Sequence, residues 1–281
     1  MVSTPIPTTK LPSGETVPML GQGTWTMGED ARRAKQEIAA LRLGLELGMT
    51  LIDTAEMYAE GGAEKVVAEA IAGRRDEVFL VSKVLPENAT RSGTIAACER
   101  SLKRLKIDRL DLYLLHWREQ IPLADTVEAF TTLLHAGKIR YWGVSNFDVG
   151  DMEELVRLPG GAAVAINQVM YNVARRGIEY DLMPWCQRRQ IPIMAYSPLN
   201  EGKLVRSREL ERIGAGHGVS AAQVALAWLI AKNAIAIPKS ASDTHVRENR
   251  ASLDVRLSAA DLAALDRLFP SPRKKVPLAM T

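Results

Sequence analysis

"VFLVSKVLP", residues 78 to 86, decides how this chain folds. Aliphatic, β-branched and aromatic side chains run almost unbroken up to Lys83, so both faces of the segment are apolar. A short run of this kind is a strand buried on both sides, which belongs in a parallel sheet covered by helices. Lys83 is the exception within it. An ammonium leaves water only when it is paired or when its protonation is put to use, so Lys83 must have a partner and a task.

Seven further runs have the same character: "MLGQGTW", "TLIDTA", "LDLYLLH", "YWGVSNF", "VAINQVM", "IPIMAYS" and "AIAIPKS". Residues 31–48, 62–73, 91–105, 123–136, 148–157, 178–189, 220–232 and 244–251 carry helical periodicity and alternate strictly with the strands. Eight strand–helix units in this length predict an α/β chain folded as a (β/α)8 TIM barrel, which typically takes about 250 residues. The turn "PSGE" inside "TKLPSGETVPML" predicts a hairpin over residues 5–18 that closes the barrel's bottom. No linker divides residues 1–281, which read as one barrel domain with a short basic tail at 270–281.

Composition narrows the function classes. The chain has 281 residues, 47% hydrophobic and 25% charged, and a formal net charge of +3 with the basic residues dispersed, which points away from nucleic acid. Cys98 and Cys186 lie far apart and in no metal-binding spacing, as expected of buried thiols in a reducing compartment. No run reaches the roughly 18 apolar residues of a membrane span, and "MVSTPIPTTK" lacks the apolar stretch of a signal peptide. A cytoplasmic monomer with no membrane partner is the expectation.

Active sites in a closed barrel form at the carboxyl ends of the strands. Those ends are unusually polar here: Asp53, Lys83, His116, Ser145 with Asn146, Gln168, Tyr196 with Ser197, and Lys239 with Ser240. Taken singly, Asp53 is explained as a helix cap, His116 as a core histidine and Asn146 as a turn residue. Their recurrence at successive strand ends is not explained that way.

"GQGTW", "LIDTAEMYAEGGAEKVVAEAI", "LVSKV", "LDLYLLHW", "GKIRYWGVSNF", "INQVMYN", "AYSPL" and "IPKSASDTHVREN" occur in the order and at the spacing of the aldo-keto reductases, which the chain resembles from the hairpin through the eighth helix. The resemblance implies a barrel that binds NADPH in extended form and reduces aldehydes or ketones, with no metal. Asp53, Tyr58, Lys83 and His116 match the family's catalytic tetrad.

The chemistry also follows from the residues. Hydride addition to a carbonyl builds negative charge on oxygen, so a proton donor must stand beside it. Tyr58, five residues past Asp53 in the loop after the second strand, suits that role. Lys83 on the neighbouring strand end is expected to lower the phenol's pKa, with Asp53 offsetting the cost of burying the cation. A neutral His116 is expected to orient the substrate oxygen. Lys83 as a Schiff-base nucleophile ranks lower, because Asp53 would keep it protonated.

By resemblance, Ser145, Asn146 and Gln168 hold the nicotinamide carboxamide, and the ring of Tyr196 stacks on the nicotinamide. Thr24, Trp25 and Asp53 also lie along the cofactor, Ser197 and Leu199 line the pyrophosphate path, and Glu248 and Asn249 meet the adenine. Lys239 and Ser240 would meet a 2′-phosphate. His245 departs from the pattern, for the family usually carries Arg there. NADPH stays favoured, with NADH a weaker possibility. Trp25, Met57, Leu85 and Trp117 are expected to form an apolar wall for a small-molecule carbonyl substrate. Short loops "WREQIPLAD" and "NEGKLVRSREL" and a brief tail predict an open mouth and broad selectivity. A second reading, a cofactor-binding redox-sensing regulatory subunit with little turnover, is less favoured, since the tetrad is complete and no interaction segment precedes the hairpin.

Overall fold

Side chains alternate across a strand, and this alternation divides the core of the protein into two shells. The computed structural model describes residues 4–280. Strands β1 (Thr8–Lys10) and β2 (Thr16–Pro18) form the antiparallel hairpin, with Gly14 in the left-handed conformation its turn requires. Eight parallel strands follow in sequence order: β3 (Gln22–Gly23), β4 (Leu51–Asp53), β5 (Phe79–Val84), β6 (Leu110–Leu115), β7 (Ile139–Ser145), β8 (Asn167–Met170), β9 (Ile193–Tyr196) and β10 (Ile235–Ala236).

Parallel bridges Leu20↔Ala236 and Gly23↔Lys239 join the first of these to the last, closing a (β/α)8 barrel. The seam is tight. Gly23 N–H donates to Pro238 O at 3.1 Å, and a Cβ on Gly23 would lie 2.7 Å from Ile237 O, so only glycine fits.

On β4, Leu51 points into the barrel and Ile52 toward the helices. On β5, Phe79 and Val81 point in while Leu80 points out, and on β6, Leu112 and Leu114 face Leu51 and Val81 across the interior. Leu11 and Val17 of the hairpin join this inner cluster and plug its lower end. The same parity carries one step further along each strand to Asp53, Lys83, His116, Ser145, Gln168, Tyr196 and Lys239. They therefore arrive together at the upper mouth.

The covering helices are α1 (Ala34–Glu46), α2 (Gly62–Ala70), α3 (Arg91–Leu105), α4 (Leu123–His135), α5 (Val149–Arg157), α6 (Leu182–Arg188), α7 (Arg208–His217), α8 (Ala221–Ala231), α9 (Asp243–Ala251) and α10 (Ala259–Leu268). Two of them break the expected strict alternation. Helix α7 occupies the connection after β9 that was expected to be a short loop, and α10 follows α9. Each starts at a serine whose side chain accepts a backbone N–H, Ser207 and Ser258, and each buries an apolar stripe or residue, Leu210 and Ile213 in α7 and Leu265 in α10. Among the described residues no single helix is long and apolar enough to cross a membrane.

Charge organises the barrel's lower end. Asp111, almost fully buried, accepts the Leu80 N–H at 2.9 Å, Arg75 at 2.7 Å and Arg140 at 2.9 Å. Arg140 and Tyr141 also reach Glu15 of the hairpin. Asp111 thus ties β5, β6, β7 and the hairpin turn together. Asp111→Ala leaves a buried N–H and two guanidinium groups without their acceptor and should lower stability by about 2 to 4 kcal/mol in urea unfolding. A loss under about 1 kcal/mol would show that the two arginines find other partners.

Candidate active site

Lys83 lies at the carboxyl end of β5, and its side chain is fully buried. A lysine ammonium has three hydrogens and no acceptor. Nζ donates to Asp53 Oδ2 at 2.7 Å, to Thr54 O at 2.9 Å and to Tyr58 Oη at 3.0 Å. All three donors are used, and Nζ also stands 4.7 Å from the centre of the Tyr58 ring. Burial alone would lower the lysine's pKa. Asp53 and the phenol oxygen outweigh it, so the pKa is raised and the group stays charged. Its partner Asp53 accepts Gln168 Nε2 on the other oxygen at 2.7 Å.

Because Lys83 can only donate, the Tyr58 oxygen accepts from it, and the phenol's own hydrogen is directed elsewhere. Tyr58 lines the cavity at the mouth, so that hydrogen is available to a ligand oxygen. The sequence reading expected Lys83 to lower the phenol's pKa. The lysine does pull it down, but burial and the Asp53 charge push harder, and the net direction in this structure is upward. A raised pKa keeps the hydroxyl protonated, as a donor must be.

His116 follows β6 with its ring 5.7 Å from that of Tyr58. Burial, aided by the Lys83 charge, holds its pKa well below the usual imidazole value. That direction favours a neutral ring, and Nδ1 is buried without a protein partner.

The cavity has a volume of about 610 Å³ and a mainly apolar lining. It brings together Thr24, Trp25, Asp53, Met57, Tyr58, His116, Trp117, Asn146, Gln168, Tyr196, Ser197, Leu199, Lys239 and His245. Trp25 and Met57 are each 43% exposed, so they form its rim rather than core. Asn146 adopts a left-handed backbone, accepts the Tyr196 hydroxyl at 2.8 Å and donates to His116 O at 3.1 Å. Lys239 is half-buried, and burial together with the nearby Arg33 charge lowers its pKa. Lys239 puts a cation on the cavity wall, where it suits an anionic group of a ligand.

Other expected site residues lie outside the cavity wall. Ser145 is buried beneath it and accepts Asn146 Nδ2. Ser240 Oγ is engaged with Ser242, while Glu248 is half-buried and Asn249 buried on α9, behind His245. Leu85 does not form part of the apolar wall: its N–H donates to Glu56 Oε1 at 2.9 Å, which holds the residue behind the Tyr58 loop. Val205, Glu201 and Met280 line the cavity and were not anticipated. Met280 shows that the tail reaches the cavity's edge, where the residue stays 52% exposed.

Known proteins resemble this chain along nearly its whole length. Residues 19–269 match the model of the "Aldo/keto reductase family". The chain is 56% identical over 270 residues to methylglyoxal reductase YeaE of Escherichia coli (strain K12), covering 94% of this chain and 95% of the relative. It is 34% identical to glyoxal reductase of Bacillus subtilis (strain 168), covering 95% and 94%. An aldo-keto reductase from Klebsiella pneumoniae solved in complex with NADPH superposes with a TM-score of 0.96 at 50% identity, covering 99% of this chain and 100% of that one.

The position of His116 makes its charge state measurable. With its pKa depressed, the folded protein should keep His116 neutral at pH 6, where an unperturbed imidazole is mostly protonated. Nitrogen chemical shifts of labelled histidine should show this. A protonated His116 ring at pH 6 would contradict the apolar, lysine-facing environment described above.

Proposed function

The chain belongs to the aldo/keto reductase family, and we propose that it reduces aldehydes and ketones, small dicarbonyl compounds among them, to alcohols with NADPH, Tyr58 giving the proton. Lys83 carries this reading. A buried ammonium that spends its third hydrogen on a phenol oxygen at 3.0 Å turns that phenol's hydrogen toward the cavity. The two relatives named as methylglyoxal and glyoxal reductases support the dicarbonyl class.

The residues at the mouth fit a nicotinamide dinucleotide. Asn146 and Gln168 present amides, Tyr196 presents a ring, and Lys239 offers charge to a phosphate. Bound NADPH supplies the hydride that goes to the carbonyl carbon. As negative charge gathers on the carbonyl oxygen, Tyr58 Oη transfers its proton there, and Lys83 stabilises the phenolate that remains. Asp53 keeps Lys83 charged without a net buried charge. His116, being neutral, can donate to the same oxygen without competing as the acid. The exposed apolar rim of Trp25 and Met57, with Trp117 and Val205, accepts the substrate's carbon body. The redox-sensing alternative needs none of this proton-handling geometry.

The experiment that tests this reading follows loss of NADPH absorbance with methylglyoxal and with an aromatic aldehyde. Tyr58→Phe should leave NADPH binding within about twofold and cut turnover by at least about 100-fold. Retained turnover would remove Tyr58 from the mechanism. Lys83→Met should also cripple reduction, and should move the alkaline limb of any residual pH profile upward, since the phenol loses the cation that pulls its pKa down. An unmoved limb would deny Lys83 that role.

His245 lines the cavity beyond Lys239 and is exposed. Placing Arg there adds a permanent charge and a fork for phosphate. His245→Arg should tighten NADPH by about 10-fold, the scale of one charge-assisted hydrogen bond, while changing NADH by less than about twofold. Quenching of protein fluorescence measures both affinities. Equal tightening of the two cofactors would place His245 away from the 2′-phosphate.

A further inference from the structure

Tyr58 sits in a segment whose backbone is under constraint. Ala59, Glu60 and Gly61 adopt φ of 51°, 52° and 83°, three left-handed residues in succession directly after the proposed proton donor, and two of them carry a Cβ. Such conformations persist only where surrounding contacts over-determine them. The contacts here come from two buried glutamates on either side of the segment.

Glu56, two residues before Tyr58, is 8% exposed. Its N–H donates to Lys83 O at 3.3 Å, continuing the line begun by Thr54 N–H to Val81 O at 2.9 Å. Its carboxylate then accepts the Leu85 N–H at 2.9 Å, so a side-chain oxygen takes the donor that a strand carbonyl would otherwise take. Oε1 also accepts Asn88 Nδ2 at 3.0 Å, and Oε2 faces Arg100 at 3.6 Å and Arg104 at 4.0 Å. At the far end, the fully buried Glu64 accepts Ser82 Oγ at 2.7 Å and the Arg104 guanidinium. The Arg104 side chain covers Gly61 so closely that a Cβ there would lie 2.4 Å from its Cδ. Both glutamates grip the strand that carries Lys83, one just before it and one just after.

We infer that Glu56 is a positioning residue for carbonyl reduction: its carboxylate, by holding Leu85 N–H and Asn88, fixes the strained loop so that the Tyr58 phenol stays on Lys83. The inference rests on Tyr58 being the proton donor. Glu56 does not line the cavity, so its effect runs through the loop it holds, by the backbone from residue 56 to 58 and by Arg104 over Gly61. A displacement of about 1 Å at a reacting group costs on the order of 100-fold in rate, which sets the scale for losing the strap. Asn146, Gln168, Tyr196 and Lys239, which are proposed to meet the cofactor, lie on or after other strands, so NADPH affinity should not respond.

The test measures the single-turnover rate of aldehyde reduction at saturating NADPH, the NADPH dissociation constant and the melting temperature. Glu56→Ala should slow the single-turnover step by about 10- to 100-fold with NADPH affinity within about twofold. Glu56→Gln keeps a carbonyl oxygen for Leu85 N–H and should recover the rate to within about threefold of wild type. In a Tyr58→Phe background the Glu56→Ala change should cost no more than about twofold, because the group it positions is already gone. Equal losses in both backgrounds, an unchanged rate, or a parallel loss of NADPH affinity would overturn the inference. Should Glu56→Ala not fold, Glu56→Asp, which keeps the charge but shortens the strap, is measured against the same pattern. If the wild type reduces no aldehyde, the functional reading fails on its own. The crystal structure of the Glu56 variant then decides: a phenol still within hydrogen-bond distance of Lys83 Nζ overturns the positioning role.

Discussion

One ammonium with three acceptors sets the terms for the upper half of this barrel. Burying a charge costs several kcal/mol unless it is paired and fully hydrogen-bonded. Lys83 meets that condition with a carboxylate, a backbone carbonyl and a phenol drawn from β4 and the loop behind it. Any arrangement that loses one of the three leaves a buried donor unsatisfied. The loop after β4 is therefore held to a single conformation, and the stability of the charge and the placement of the proposed proton donor become one requirement.

The electrostatics follow from the same pairing. Asp53 serves Lys83 with one oxygen and Gln168 with the other, so an amide expected along the cofactor path is already coupled to the ion pair. Burial, with the Lys83 charge adding to it, holds the His116 pKa well below the usual imidazole value. The phenol is pulled down by Lys83 and pushed up by burial and by Asp53. That balance leaves an acid that is protonated at rest and has a cation beside it for the moment the proton departs.

Much of this was legible because a strand's period is two. Once "VFLVSKV" is a strand with Val81 inward, Lys83 must be inward too, and the same count sends Asp53, Gln168 and Tyr196 to the mouth. Leu85 failed the same test: it lies past the end of β5, where the ladder has given way to a side-chain acceptor and parity no longer predicts direction. Helices α7 and α10 left a readable mark, since Ser258 and Asp261 form a capping box and Gly218 stands at a left-handed carboxyl end, but they fall outside the expected one-helix-per-strand rhythm. Met280 could not have been found from the tail's sequence, which has no periodicity to say where an irregular segment goes. The direction of the Tyr58 pKa needed burial, which a list of neighbouring charges does not contain.

One residue of the cavity's lining, Met280, comes from a segment held in a different way from the rest. Tyr58 and His116 are held by buried contacts, whereas the segment leading to Met280 packs Leu278 on the core and is pinned at the surface by Lys275, whose ammonium meets Asp148 Oδ2 at 2.9 Å. Asp148 is also the residue that caps α5, and the pairing holds its carboxyl below the usual carboxylate range. Such an exposed pair weakens as dissolved ions screen it, while buried pairs such as Lys83 with Asp53 barely respond. Ionic strength therefore acts on the surface tie of the tail while leaving the proposed chemistry where it was.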